Sequence, residues 1–200
     1  MLDSPATADH RAARRRGHRI APAALAAVAV SATALTAVVV PVASAAPRSE
    51  HPGAAQSVTA LAEGALDPAT LPADFAATFG YTPVPVDGTV IKPSGECSSP
   101  VPLPAEFETP CKAHDLGYDL LRYAHLEDSP LGPWARRAID AALDRAMDEA
   151  CATRTATMAR ARCHTVAAVA SVVVDLNSRR EGYGSPVIGP VRGRVVEVAS

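Results

Sequence analysis

The chain has 200 residues, is 48% hydrophobic but only 4% aromatic, and carries a formal net charge of −2. That length, less any leader, holds one domain with its own core. Beyond any leader no basic stripe runs through it, which argues against nucleic acid as a partner and against electrostatic docking on anionic membranes.

Residues 1–45 read as an export signal. Arg11, Arg14, Arg15, Arg16 and Arg19 form a basic region, a low-polarity run from Ile20 to Val42 follows, and Ala43-Ser44-Ala45 supplies the small residues of a cleavage site. The run is long enough to span a bilayer. It is mostly alanine, however, with only Leu25 and Leu35 as leucines, a weak span on insertion scales. The expectation is a secreted protein with no transmembrane anchor after cleavage. Five of the 19 basic and two of the 21 acidic residues lie in this segment, so the remainder sits near −5.

Residues 46–56 have the polar, Ala/Pro composition of a loose linker. Between Ser57 and Tyr81 one or two short helices are expected, with Phe75 and Phe79 four apart on one face. Thr82 to Glu106 contains Pro83, Pro85, Pro93, Pro100, Pro102 and Pro104, which predicts irregular loop. A helix is predicted from Thr109-Pro110, a capping residue and a first-turn proline, to about His125. At about 100° per residue, Cys111, His114, Tyr118 and Leu121 share one face, while Ala113, Leu116, Leu120 and Tyr123 lie roughly opposite. Asp115, Asp119 and Arg122 fall between.

A turn over 128–133 leads to a second helix, Trp134 to Cys151, with Ile139, Leu143, Met147 and Ala150 as its apolar stripe. Asp140 lies within about 20° of Met147 and Cys151, whereas Asp144 and Asp148 turn progressively outward. A third helix, Ala156 to Ser178, carries the apolar block Val166 to Val174 and ends near Gly182. The tail over 183–200 reads as irregular. With no strong strand signal, the fold class is all-α, a small domain built on two antiparallel helices and a third C-terminal one.

Four cysteines, Cys97, Cys111, Cys151 and Cys163, in an exported chain argue for two disulfides. Three pairings are open, and local closure favours Cys97–Cys111 with Cys151–Cys163. A zinc site is disfavoured, since no CxxC or HxxxH spacing is present.

Cys111-Lys112-Ala113-His114-Asp115-Leu116-Gly117-Tyr118 places a half-cystine, an imidazole, a carboxylate and a phenol within about two helical turns. Water attacks an ester poorly unless a base removes its proton, and a carboxylate on the far ring nitrogen keeps such a base in one tautomer. His114 is the candidate base and Asp140, on the adjacent helix, its candidate orienter. Asp115 points about 100° from His114, so it can bind a cation without competing for the ring. Taken singly, each residue has a plainer role. A lone helix histidine is usually structural, and Asp140 alone reads as a surface partner of Arg136. The combination is far more specific.

The run Cys111-x-x-His114-Asp115-x-Gly117-Tyr118 resembles the signature of secreted phospholipases A2 of the bacterial and fungal type. The resemblance covers about residues 95–163, within an expected domain at 95–182 preceded by the helical and proline-rich segment 57–94. It implies that His114 activates water, that Asp140 supports it, and that Asp115 with the Glu96 carbonyl or carboxylate binds calcium, Tyr118 supporting the site. It also implies one disulfide joining the calcium loop to the base-bearing helix and one closing a short hairpin. The substrate would be a phospholipid at a lipid–water interface, cleaved at the sn-2 ester by a monomer. Gly95 departs from the pattern, because the bacterial relatives carry an aspartate there as a second calcium carboxylate. The alternative reading is a phospholipase-fold binding or effector protein with weak or no catalysis, which Gly95 favours and the His114–Asp140 pair opposes.

Overall fold

The computed structural model describes residues 49–186, so the expected export signal, the first residues of the linker and the chain beyond Pro186 lie outside the described residues. The described part is mostly helical: α1 (Pro52–Ala62), α2 (Phe75–Phe79), α3 (Glu108–Leu126), α4 (Pro133–Ala152) and α5 (Thr157–Arg180). Two short 3-10 turns, Pro68–Thr70 and Ala105–Phe107, and two strands, β1 (Val84–Val86) and β2 (Thr89–Ile91), complete it.

Three local expectations are corrected. Helix α1 begins inside the expected linker, where Pro52 occupies the first turn and the His51 ring accepts the Ala54 N–H at 3.1 Å. Its Ala54, Val58 and Leu61 are core residues, so burial of that face holds the segment. The proline-rich stretch contains a β-hairpin, with Val84 opposite Ile91 and Val86 opposite Thr89. Its turn is Asp87-Gly88, both at positive φ (48° and 83°), which the tight hairpin turns require. Pro85 is tolerated because a two-stranded ribbon is all edge. Finally, α3 does not start on a Thr109 cap. The chain is already coiled through Ala105–Phe107, the Phe107 N–H bonds to the Pro104 carbonyl at 3.0 Å, and the helix runs on from Glu108.

Two apolar clusters lie on either side of the α3–α4 pair. One gathers Val58, Phe75, Leu116, Leu120, Tyr123 and Ile139, and the other Phe107, Leu143, Met147 and Ala167 with the Cys151–Cys163 bridge. Each large side chain removed from water contributes about 1.5–3 kcal/mol. Helices α3 and α4 come unusually close at Gly117, where a Cβ would stand 2.6 Å from Ile139 Cγ2. That approach brings the inward faces of the two helices within reach of each other.

Both favoured disulfides are present: Cys97–Cys111, spanning 14 residues, ties the proline-rich loop to α3, and Cys151–Cys163, spanning 12, closes the α4–α5 hairpin. Loops of this length make each bridge worth about 3 kcal/mol. The apolar block on α5 divides between core and surface. Val166, Ala167, Ala170 and Val174 pack inward, while Val169, Val172, Val173 and Leu176 are about 60% exposed. Among the described residues no helix is long and apolar enough to cross a membrane.

Candidate active site

The sequence-predicted pair meets across the α3–α4 contact: His114 Nε2 lies 2.9 Å from Asp140 Oδ1, and each side chain is 11% exposed. Which ring nitrogen carries the proton follows from the donors around the carboxylate. Asp140 also accepts the Tyr118 hydroxyl on Oδ1 at 2.9 Å and the Ser178 hydroxyl on Oδ2 at 2.6 Å. Burial alone would raise its pKa. The hydrogen bonds from His114 and Ser178 and the imidazole charge outweigh that and hold it below the usual carboxylate range. An ionised Asp140 is an acceptor only, so Nε2 must donate, and neutral His114 keeps its lone pair on Nδ1. Nδ1 makes no hydrogen bond to protein among the described residues, and His114 lines a cleft of about 760 Å³ between α3, α4, the end of α1 and the Asp87-Gly88 turn.

Tyr118 sits one turn after His114, with the two ring centroids 4.0 Å apart. Burial and the Asp140 charge push its phenol up to about 12, so it stays protonated and serves as a hydrogen-bond donor at neutral pH.

Asp115 faces the other way, toward the loop ahead of the Cys97–Cys111 bridge. Its Oδ2 accepts the Glu96 N–H at 3.0 Å. Burial raises its pKa, only partly offset by the Glu96 N–H and the positive charges of His114 and Lys92. Gly95 is buried against α3: a Cβ there would stand 3.0 Å from Asp115 Oδ2, 3.1 Å from Lys112 Cα and 3.2 Å from Asp115 Cβ. The Glu96 side chain is exposed. The Asp115 carboxylate is the kind of ligand a hard cation takes, and the loop presents it with the Glu96 N–H, a donor rather than a ligand. Calcium collects 6–8 oxygens, and no cluster of three or more His, Cys, Asp or Glu side chains converges for a metal among the described residues.

Several site residues were not anticipated. Arg136, read from sequence as the surface partner of Asp140, is 1% exposed. Its Nε donates to Ser178 Oγ at 2.9 Å and more weakly to Tyr118 Oη at 3.3 Å, and Nη1 reaches Glu181 at 2.7 Å. The guanidinium also lies 4.8 Å from the Tyr118 ring centroid. The available signal was periodicity: Arg136 precedes Ile139 by three and Leu143 by seven, on the inward stripe. Ser178 likewise continues the inward series Cys163, Ala167, Ala170, Val174 along α5. Asp119 is 2% exposed and anchors the hairpin side of the site, accepting from Tyr81 Oη at 2.9 Å, Lys92 Nζ at 2.9 Å and Arg122 Nη1 at 2.6 Å. Nothing in the sequence pairs Asp119 with Tyr81 or Lys92, which reach it from the loop and from just after β2.

No protein-family model matches the chain, and no curated protein or solved structure gives a significant match.

Proposed function

We propose that the chain is a secreted phospholipase A2-like ester hydrolase, with His114 as the general base toward water. The observation that carries this reading is the His114–Asp140 pair, 2.9 Å apart, on a cleft that His114 lines, with Nδ1 free of protein partners among the described residues. Water placed at Nδ1 gives up its proton as it attacks an ester carbonyl, and the imidazolium that forms is stabilised by Asp140. The same imidazolium then returns the proton to the departing alkoxide. Asp140 stays ionised throughout, because the donors from Tyr118 and Ser178 remain in place. In a phospholipid the products are a fatty acid and a lysophospholipid.

Calcium is the proposed cofactor, held by Asp115 with Glu96, and when bound it supplies positive charge for the carbonyl oxygen as negative charge develops there. With one charged side-chain ligand its affinity falls at the weak end of calcium sites, about 10⁻⁴–10⁻³ M.

A second reading, a phospholipase-like fold that binds without turnover, is favoured by the packing of Gly95, where a side chain would crowd Asp115 Oδ2 at 3.0 Å and Lys112 Cα at 3.1 Å. The deciding test is fatty-acid release from phospholipid micelles by the oxidised protein, wild type against His114→Ala, with millimolar calcium and with chelator. Release lost in the mutant and in chelator supports the enzyme. No release from folded wild type at millimolar calcium supports the binding protein.

A further inference from the structure

Asp140 has two carboxylate oxygens, and only Oδ1 serves His114. Oδ2 is held from the last turns of α5 by Ser178, which has no exposed surface. A serine in a helix interior commonly bonds back to the carbonyl four residues earlier. Ser178 instead turns across to α4. Its single hydroxyl proton goes to Asp140, so toward Arg136 it can only accept, and the Arg136 Nε at 2.9 Å is placed to donate. Arg136 is fixed in turn by Glu181 and by the Gly184 carbonyl at 3.1 Å, just past the end of α5.

Stability alone does not account for this arrangement. Arg136 Nη2 is buried with no hydrogen-bond partner among the described residues, an arrangement that costs a fold free energy, and buried ion pairs are often replaced by apolar side chains without loss. The charges, by contrast, suit proton transfer. With His114 neutral, Arg136, Glu181 and Asp140 together carry one net negative charge. When His114 takes a proton, the group becomes neutral, so the buried cluster is balanced for the protonated intermediate.

We propose that Ser178 and Arg136 are positioning residues of this site, clamping the second oxygen of Asp140 from the end of α5 so that Oδ1 meets His114 in one orientation. Its kinetic consequence rests on the hydrolase reading, whereas its structural consequence, a single His114 tautomer, does not. Both Ser178 and Glu181 lie outside the stretch that carries the sequence resemblance, so the clamp belongs to this chain's own α5.

The test compares wild type with Ser178→Ala and with Glu181→Gln, which loosens Arg136 without touching Asp140. The readouts are the ¹⁵N signals of the His114 ring at fixed neutral pH, the thermal midpoint, and ester hydrolysis. In wild type the ring is expected as the Nε2–H tautomer alone. Ser178→Ala should mix the tautomers and lower kcat about 10- to 100-fold with KM unchanged, the value of one hydrogen bond to a charged group. Glu181→Gln should act in the same direction and less. Wild-type ring signals in Ser178→Ala overturn the clamp, even if the thermal midpoint falls, because the serine then only packs. Should wild type lack His114-dependent hydrolysis, the hydrolase reading fails and the ring signals alone decide the clamp by the same criterion. Should Ser178→Ala not fold, Glu181→Gln decides, and its failure to perturb the tautomer overturns the proposal.

Discussion

Asp140 pairs with the His114 ring and Asp115 follows it in the chain, both partly buried, and their carboxylates are driven in opposite directions. Asp140 receives three side-chain donors from two helices, His114 and Tyr118 on α3 and Ser178 on α5. Against burial, that many donors favour the anion. Asp115 receives one backbone N–H, from Glu96, and burial prevails. The half that would handle the proton in the proposed hydrolase is thus held entirely by side chains, whereas the half facing the loop holds a carboxylate that additional positive charge would relieve. The lesson is one of construction: three packed helices satisfy every acceptor on Asp140, and a loop pinned by a single disulfide does not do the same for Asp115.

That asymmetry is sharpest in kinetics. Asp140→Asn should lower kcat by about 1,000- to 10,000-fold, and added calcium should not restore it. Asp115→Asn should instead abolish the response to calcium and leave a residual His114-dependent rate about 100- to 1,000-fold below wild type. Calcium titrations of ester hydrolysis in the two variants separate these outcomes. Recovery of Asp140→Asn by excess calcium would erase the distinction between the two sides.

The next largest effect falls on the contact that joins the halves. Gly117→Ala places a methyl where Ile139 already lies, 2.6 Å from Cγ2. Overpacking of this kind costs about 1–3 kcal/mol or more. Here it also pushes α3 from α4 and so lengthens the His114–Asp140 bond. On the hydrolase reading, a urea melt and an assay on the same sample should show stability and rate falling together.

On the loop side, Gly95→Asp restores the acid that the resemblance calls for. It should destabilise the fold by about 1 kcal/mol without tightening calcium, because Asp115 Oδ2 at 3.0 Å and Lys112 Cα at 3.1 Å must give by a few tenths of an ångström to admit its Cβ. Isothermal titration with calcium, read beside a thermal melt, distinguishes this from simple repair. Tighter binding in a protein of unchanged stability would mean that the loop opens far more readily than its packing implies.

The sequence made Asp140 legible and hid Asp119. Helical spacing alone set Asp140 at the edge of an apolar stripe, and His114 stands on the facing helix 2.9 Å away. The two disulfides were legible for a similar reason, since their short loops leave little choice once the helices are placed. Arg136 and Ser178 lay on inward stripes too, but a charged and a hydroxyl side chain were read by type rather than by position. The hairpin was hidden by its prolines, although Asp87-Gly88 between two β-branched runs carried the turn signal. Asp119 was beyond reach altogether. Its burial depends on Tyr81 and Lys92 arriving from segments 38 and 27 residues earlier, and helical periodicity carries no information about such tertiary pairings.

The smallest expected effect is also the one that reads the two carboxylates directly. Asp115, with its raised pKa, binds its proton more tightly folded than unfolded. Its ionisation therefore costs stability at neutral pH, and that cost disappears as pH falls toward the unfolded value, about 3.9. Asp140, with its lowered pKa, contributes stability that is fully present above that value and is lost as pH falls through the folded one. The groups that set these directions are His114, Ser178 and Tyr118 around Asp140, and the Glu96 N–H, His114, Lys92 and Asp119 around Asp115. Differences in urea midpoint between wild type and each Asn variant, followed from neutral pH down to about 3, remove the contribution of every other acid. The Asp115→Asn difference should change above about 3.9 and the Asp140→Asn difference below it. Calcium binds the folded protein at Asp115 in this reading, so it should stabilise wild type at neutral pH by mass action and leave Asp115→Asn unmoved. If instead both differences change in the same pH window, the two carboxylates titrate as one coupled unit through His114, and the separation between the proton-handling and cation-facing sides is lost.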